Sequence, residues 1–384
     1  MRATILHATR DIRLDDVDDP QLVDDGAALV RVVAACICGS DLWPYRGQPE
    51  VHGPGRIGHE FVGIVEETGS DVQTIAPGDF VIAPFVISDN TCELCRRGVH
   101  TSCVNGAAWG AEDRAGHMVD GGQGEVVRVP LADGTLVATP GQPDEALVPH
   151  LLTLSDVYPT GHHAALSAGV TAGSTVAVVG DGAVGLSAVL AAKRLGADRI
   201  VAMSRHEDRQ RVAREFGADE IVAERGKEGA AAVKEIFDGI GADHVLECVG
   251  TQDSMKQAMM STRPGGQVGF VGLPHGVELN IRVMFGLNIG VSGASPRRVP
   301  TSRSSCPVSS TDRRLPAWSS TRSCRSTRSP TATGPWTSAR PSRRCCRPDR
   351  YEWFSAASLR RASWRAKVAS SSGAQSATRP PSHA

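Results

Sequence analysis

The sequence predicts an α/β protein of two domains, a β-barrel-like domain over residues 1–150 and a doubly wound parallel sheet over 151–293. Three observations predict it. Up to about residue 150, short apolar alternations are broken by Gly, Pro and Asp, the texture of short strands joined by long loops. From 151 to 293, buried strand-like runs alternate with amphipathic helical ones, which implies a parallel sheet covered on both faces. A glycine motif also stands at the first strand-to-helix turn of that second region.

In the first region the strand candidates are ALVRVVAACICG, EFVGIVEETG, GDFVIAPFV and GEVVRVP. In the second, STVAVVG reads as a strand, AVGLSAVLAAKRLGA as a helix, RIVAMS as a strand and EDRQRVAREFGA as a helix. EIVAE, DHVLECVG, GQVGFVGL and NIGVSG continue the strands, with helical stretches between the first three.

At 384 residues the chain can bury two sizeable cores. Its formal net charge of −1 conceals a split: residues 296–384 carry 18 Lys and Arg against 3 Asp and Glu, leaving 23 and 39 elsewhere. An acidic body has no electrostatic footprint for nucleic acid. The N-terminal residues hold no apolar signal core, and no run approaches a membrane span of about 18 apolar residues. A cytoplasmic protein is expected, with reduced thiols available as metal ligands.

Asp89, Cys92, Cys95 and Cys103 stand at D-x2-C-x2-C-x7-C, within fifteen residues. Three thiolates and a carboxylate so placed can surround one tetrahedral Zn²⁺ with no open position, as in a structural site. Free surface thiols, or a disulfide with one cysteine spare, are the plainer alternatives.

Gly180, Gly182 and Gly185 form G-x-G-x-x-G between a strand and a helix, the context that dinucleotide binding requires. Gly180 permits the tight turn, Gly182 lets backbone approach a pyrophosphate, and Gly185 allows close helix–strand packing. The first amides of the helix, at Ala183 and Val184, supply donors and a positive dipole end. The next strand ends at Ser204, 24 residues after Gly180, followed by Arg205 and, one turn on, Arg209. An NAD site usually has Asp or Glu there. A hydroxyl and guanidinium groups without a carboxylate suit the 2′-phosphate of NADP, which is the expected coenzyme. Alternatively Arg205 only begins a solvated helix, with Glu207 or Asp208 reaching back to the ribose.

Cys38, His59 and Asp156 supply the S, N and O ligands that an open, catalytic Zn²⁺ accepts, and Glu60 could enter or orient that shell. Singly, each is as readily a structural residue. Cys36 and Cys248, on apolar strands, belong to the structural class.

These residues and motifs together (ICGSD, GHE, the four-ligand loop, the Asp156 segment SDVYPTGHH, GDGAVG and GGQVGFVGLP) resemble the zinc-dependent medium-chain alcohol dehydrogenases over residues 1–293. The resemblance is strongest to the subgroup with formaldehyde, sorbitol and threonine dehydrogenases. It implies a GroES-like catalytic domain and a Rossmann domain, one catalytic and one structural zinc, and hydride transfer between a small alcohol or carbonyl compound and a nicotinamide. Cys38, His59 and Asp156 would then hold the catalytic zinc, and Ser40 would take the hydroxyl proton. Val271 and Leu273 would hold the carboxamide, with Thr160, Val249 and Gly250 also along the coenzyme. Relatives are commonly homodimers or homotetramers joined through the strand at NIGVSG.

Three departures are evident. Asp89 stands where a fourth Cys is common, Leu42-Trp43 where many members continue a proton relay with His, and the tail is unlike the family. No Ile or Met follows residue 295, and Ser and Arg dominate, the composition of a disordered segment. Yet Ser326–Ser338, with suitable degenerate codons read one nucleotide upstream, becomes LDEVADGYRAMDE, a family-like stretch. A one-nucleotide frameshift near Gly293 or Ala294 is therefore expected. The rival readings are a zinc-independent quinone or enone reductase, which lacks both zinc sites, and a non-catalytic nucleotide-binding remnant disabled by its tail.

Overall fold

The computed structural model describes residues 1–51 and 53–293; the Arg/Ser-rich segment, and with it the expected out-of-frame tail, lies outside them. Two sheet systems follow one another along the chain. In the first, β1 (Arg2–Ala8), β2 (Asp11–Asp16), β3 (Ala28–Cys36), β4 (Gly55–Arg56), β5 (Glu60–Thr68), β6 (Phe80–Ala83), β7 (Val126–Val129) and β8 (Val137–Ala138) are interrupted by short helices α1 (Leu42–Tyr45), α2 (Glu93–Arg96) and α3 (Ala132–Thr135). They form an antiparallel five-stranded sheet ordered β7-β3-β5-β6-β8 and a three-stranded one ordered β2-β1-β4. Val30, Phe61, Val65, Val81, Val127 and Val129 fill the interior, all at most 1 % exposed. Full burial of such a side chain contributes about 1.5–3 kcal/mol relative to exposure. Trp109 sets its ring edge against Phe61 at 5.2 Å and belongs to this core.

Helices α4 (Val148–Leu152) and α5 (Val157–Ala168) lead onward. Leu151 and Leu152 still pack with Val62, Phe80 and Ile82, so barrel packing runs two residues beyond the expected boundary at 150. Then come β9 (Thr175–Val179), α6 (Ala183–Arg194), β10 (Arg199–Met203), α7 (Glu207–Glu215), β11 (Glu220–Val222), α8 (Gly226–Ile236), β12 (Ala242–Glu247), α9 (Gln252–Ser261), β13 (Thr262–Phe270), α10 (Ile281–Leu287) and β14 (Gly290–Gly293). All six strands are parallel, in the order β11-β10-β9-β12-β13-β14.

Strand alternation explains why this sheet is covered twice. Val176, Val178, Ile200 and Ala202 face one apolar cluster with Ala164, Leu186 and Val189 of α5 and α6. Ala177, Val179, Val201 and Met203 face the other, with Val233, Met255 and Ala258 of α8 and α9. Every residue from Val176 to Val179 is buried, which is why the strand reads as one unbroken apolar run. Among the described residues, no helix is long and apolar enough to cross a membrane.

Candidate functional site

The carboxyl ends of β9, β10, β12 and β13, the edge where ligands bind in open α/β sheets, form one side of the site. The glycine turn opens α6 as the spacing predicts. A Cβ on Gly185 would lie 1.9 Å from the Gly180 carbonyl oxygen, so helix and strand could not approach as they do with a larger residue. A Cβ on Gly182 would meet nothing within 4 Å, which leaves that backbone open toward a ligand. Gly182, Asp181, Ser204, Arg205, Arg209 and Val249 border a cavity of about 1090 Å³.

One premise of the NADP expectation fails here. A carboxylate does stand at the end of β10, contributed by Asp181 of the glycine turn. Ser204 Oγ donates to Asp181 Oδ2 at 2.8 Å, and Arg209 Nη1 donates to Asp181 Oδ1 at 2.9 Å. Burial opposes the charge of Asp181, but Ser204 and Arg209 outweigh it and hold its carboxyl below the usual range. Of the other acidic candidates, Asp208 turns its Oδ1 to the Arg209 backbone N–H at 3.0 Å.

Across β12 and β13, the sequence reading also missed Glu247. Fully buried, it accepts the N–H groups of Val249 and Gly250 at 2.9 Å through Oε1, and its backbone carbonyl accepts from Val271. It therefore fixes the two loops that carry Val249, Gly250, Val271 and Leu273. His275, two residues after Leu273, stacks on Trp43 of the barrel with centroids 3.5 Å apart. Thus the position lacking the relay histidine packs against a histidine from the other domain.

Three distant segments meet between the sheets. Cys38 follows β3, His59 and Glu60 open β5, and Asp156 precedes α5; one ligand atom from each lies within 4.8 Å of the others. Cys38 Sγ is 3.6 Å and His59 Nε2 3.4 Å from Asp156 Oδ2. Tetrahedral zinc bonds of about 2.0–2.3 Å require donor separations close to these. Glu60 Oε1 is buried without a protein partner. Burial disfavours a charged His59, yet Asp156 and Asp41 push it up to about 12. Burial and the Asp156 charge push Glu60 up to about 8. The thiol of Cys38, the imidazole of His59 and the carboxyl groups of Glu60 and Asp156 thus share one confined pocket, a setting a divalent cation can occupy. The donor set fits zinc.

Asp41 was not assigned a role from sequence, though it ends the ICGSD motif. It is buried, accepts the Cys38 N–H at 2.9 Å and lies 3.3 Å from His59 Nδ1, so it orients two donors at once. Ser40 precedes α1, in the turn between Cys38 and Asp41. Thr160 donates its hydroxyl to Asp156 Oδ1 at 2.6 Å. Cys36 and Cys248 stand outside the donor cluster, and burial raises both thiols, Cys36 to about 11.

The second cluster is local. The donor atoms of Asp89, Cys92, Cys95 and Cys103 lie within 4.8 Å of one another, with Cys92 and Cys103 sulfurs 3.9 Å apart. No disulfide joins them; all are free thiols. Asp89 is aimed by its own turn, accepting from Thr91 and Cys92 N–H through Oδ1 and from Asn105 at 2.6 Å through Oδ2. Burial opposes its charge, and these donors overcome that and hold the carboxyl far below its ordinary value. The sulfur-rich set suits a closed zinc site.

Family comparisons agree with this architecture. Residues 24–140 match the alcohol dehydrogenase GroES-like domain, and residues 183–301 the zinc-binding dehydrogenase domain. A medium chain reductase/dehydrogenase of Acremonium sp is 35 % identical over 284 residues, covering 72 % of this chain and 94 % of that protein. Among solved structures, alcohol dehydrogenase TADH from Thermus sp. ATN1 is 33 % identical with a TM-score of 0.68, covering 77 % of this chain and 85 % of that one. A protein of Sinorhizobium meliloti 1021, solved bound to NADP, is 30 % identical with a TM-score of 0.63, covering 77 % and 84 %. With both of its domains matched and both donor clusters assembled, the chain belongs to the zinc-dependent medium-chain alcohol dehydrogenases, oxidoreductases that use a nicotinamide coenzyme.

Proposed function

We propose that residues 1–150 form the catalytic domain and 151–293 the coenzyme domain of an enzyme that oxidises a small alcohol or reduces the matching carbonyl compound. Cys38, His59 and Asp156 hold one zinc with Glu60 beside it, while Asp89, Cys92, Cys95 and Cys103 hold a second, structural one. The observation that carries this reading is the convergence of Cys38, His59, Glu60 and Asp156 from three distant segments. When bound, the catalytic zinc supplies Lewis acidity toward the substrate oxygen, and the coenzyme exchanges a hydride with the carbinol carbon.

The protein's own groups do the rest. Ser40 takes the hydroxyl proton of the substrate. Asp41 holds His59 and the Cys38 backbone, Thr160 holds Asp156, and Glu247 holds the loops that seat the nicotinamide end. Gly182, Ala183 and Val184 present amides to the pyrophosphate. Arg205 and Arg209 offer charge to a 2′-phosphate, as befits a relative bound to NADP, whereas Asp181 opposes it. Reduced cysteine ligands fit a cytosolic setting. Pairing through the sheet edge at β14 is supported by apolar side chains exposed on adjacent α10, notably Phe285 at 89 % and Ile281 at 66 %.

Metal analysis of the purified 384-residue chain, followed by coenzyme reduction with a panel of small alcohols and polyols, tests the reading. Two zinc ions per chain with alcohol-dependent reduction are expected. No zinc at all would favour the quinone or enone reductase, and zinc and coenzyme bound without turnover would favour the inactive remnant.

A further inference from the structure

We propose that Asp181, in the glycine turn, is the residue that sets coenzyme selectivity, and that it sets it toward NAD by recognising the free 2′-hydroxyl of the adenosine ribose. The inference rests on the dehydrogenase reading above. Its basis is the direction of the hydrogen bonds at the end of β10. Ser204 is 2 % exposed, and its hydroxyl proton is committed inward to Asp181 Oδ2 at 2.8 Å. What Ser204 then offers a ligand is an acceptor lone pair. A ribose hydroxyl can donate to it; a phosphate, which carries only acceptor oxygens once ionised, cannot.

Charge acts in the same sense. The Asp181 side chain is 10 % exposed, and its carboxylate borders the cavity beside Gly182 and Ser204. An ionised carboxylate so placed repels a 2′-phosphate across a poorly screened gap. Arg209, the cation best placed to offset that repulsion, already gives Nη1 to Asp181 Oδ1 at 2.9 Å. The Gln210 side-chain amide donates to the Ser204 carbonyl at 2.8 Å, pinning the strand end against rearrangement. Arg205 remains as cationic charge on the rim, which is why NADP is disfavoured and not excluded.

The substitution Asp181→Asn tests the idea because it inverts the bond polarity at constant shape. The amide nitrogen can donate to Ser204 Oγ, which releases the serine proton to a phosphate, while the amide oxygen still accepts from Arg209. Binding of NADH and NADPH to the full-length chain is read by nicotinamide fluorescence at fixed ionic strength. Wild type should bind NADH the more tightly, and Asp181→Asn should move the affinity ratio toward NADPH by at least about tenfold. Ser204→Ala, which leaves the carboxylate in place, should weaken NADH several-fold and leave NADPH unchanged. A ratio untouched by Asp181→Asn, or a Ser204→Ala variant that loses NADPH and keeps NADH, overturns the assignment while leaving the dehydrogenase reading intact. Failure of the wild-type chain to bind either coenzyme overturns both.

Discussion

The three glycines of the nucleotide turn serve two separate purposes, and identical substitutions at two of them should separate these. In Gly185→Ala the new methyl would lie 1.9 Å from the Gly180 carbonyl oxygen, when a Cβ essentially never comes within 3.0 Å of another heavy atom. The obstacle is backbone, so α6 must move off β9 by more than 1 Å. That helix buries Leu186, Ala188, Val189, Ala191 and Ala192 against the sheet, so displacement degrades a whole apolar layer. Overpacking of this kind costs about 1–3 kcal/mol. At roughly 2–4 °C per kcal/mol, Tm should fall by about 2–12 °C. Gly182→Ala is sterically free within the protein, and its φ of −73° suits any L residue. Exchanging Gly for Ala at a helix N-cap costs only some tenths of a kcal/mol up to about 1. Its methyl projects instead into the space a pyrophosphate must enter, so NADH affinity should fall at least about tenfold, near 1.4 kcal/mol. Differential scanning fluorimetry and a fluorescence titration on both variants decide the matter. Equal loss of Tm in the two variants, or unimpaired coenzyme binding by Gly182→Ala, would refute the division of labour.

Three further outcomes are expected. Thr160→Val removes the hydroxyl that donates to Asp156 at 2.6 Å; loss of such an orienting bond typically weakens metal affinity about 10–100-fold, readable as faster zinc release to a chelator from one of two sites. Asp243, although burial opposes its charge, is held below its ordinary pKa by the Thr175 backbone and hydroxyl donors at 2.8 and 2.7 Å and by Arg263. A depressed carboxyl stabilises the fold above its unfolded pKa of about 3.9, and that stability is lost as pH falls further, toward the folded value. The Tm advantage of wild type over Asp243→Asn should hold at about pH 6 and shrink near about pH 3, and a pH-independent difference would remove the ion-pair explanation. Resequencing the gene should restore a family-like C-terminus from about residue 295; an unchanged frame, with a protein mass matching 384 residues, would show the tail to be genuine.

How much was legible depended on the distance over which each feature is written. The Asp89–Cys103 loop lies within fifteen residues, so spacing alone exposes it, and the glycine motif is equally local. The central parallel strands, such as β9 and β10, were readable because double burial turns each into an apolar run flanked by helical periods. Asp181 escaped notice because its partners lie 23 and 28 residues away, and only strand pairing joins them. The signal was nevertheless present. In a parallel βαβ unit the carboxyl ends of successive strands are neighbours, and here Val179 is in register with Met203, which sets the glycine turn beside Ser204. A search limited to the end of β10 looks for an acid on one strand when the next strand's turn can supply it. Glu247 was missed for a different reason. A lone carboxylate ending an apolar strand resembles a solvated terminus, and only the loop geometry shows it accepting two backbone donors.

The two donor clusters differ in what holds them together, and this difference links the parallel sheet to the Cys38 cluster. The Asp89 loop is closed by its own turn, with bonds from Thr91, Cys92 and Asn105, and needs nothing from the sheet beyond. The Cys38 cluster draws two segments from the barrel, at the end of β3 and the start of β5, and a third from the residue preceding α5. That helix packs Ala164, Ala165 and Ala168 into the same apolar layer as Val176 and Leu246 of the parallel sheet. Asp156 is thus tied to the parallel sheet through α5 and to the barrel through the Phe85 N–H bond to the Ser155 carbonyl, while Cys38 and His59 stand on barrel strands alone. The Trp43–His275 stack makes a second crossing between them. Packing of α5 on the parallel sheet and the Phe85–Ser155 bond together set the distance between the carboxylate and the other donors. Backbone of α6 lies so close to Gly161 of α5 that a Cβ there would come within 2.5 Å of the Ala188 nitrogen. By displacing α6, Gly185→Ala is therefore expected to loosen the Asp156 side of the cluster, read as faster metal release to a chelator than from wild type; unchanged release would refute the coupling.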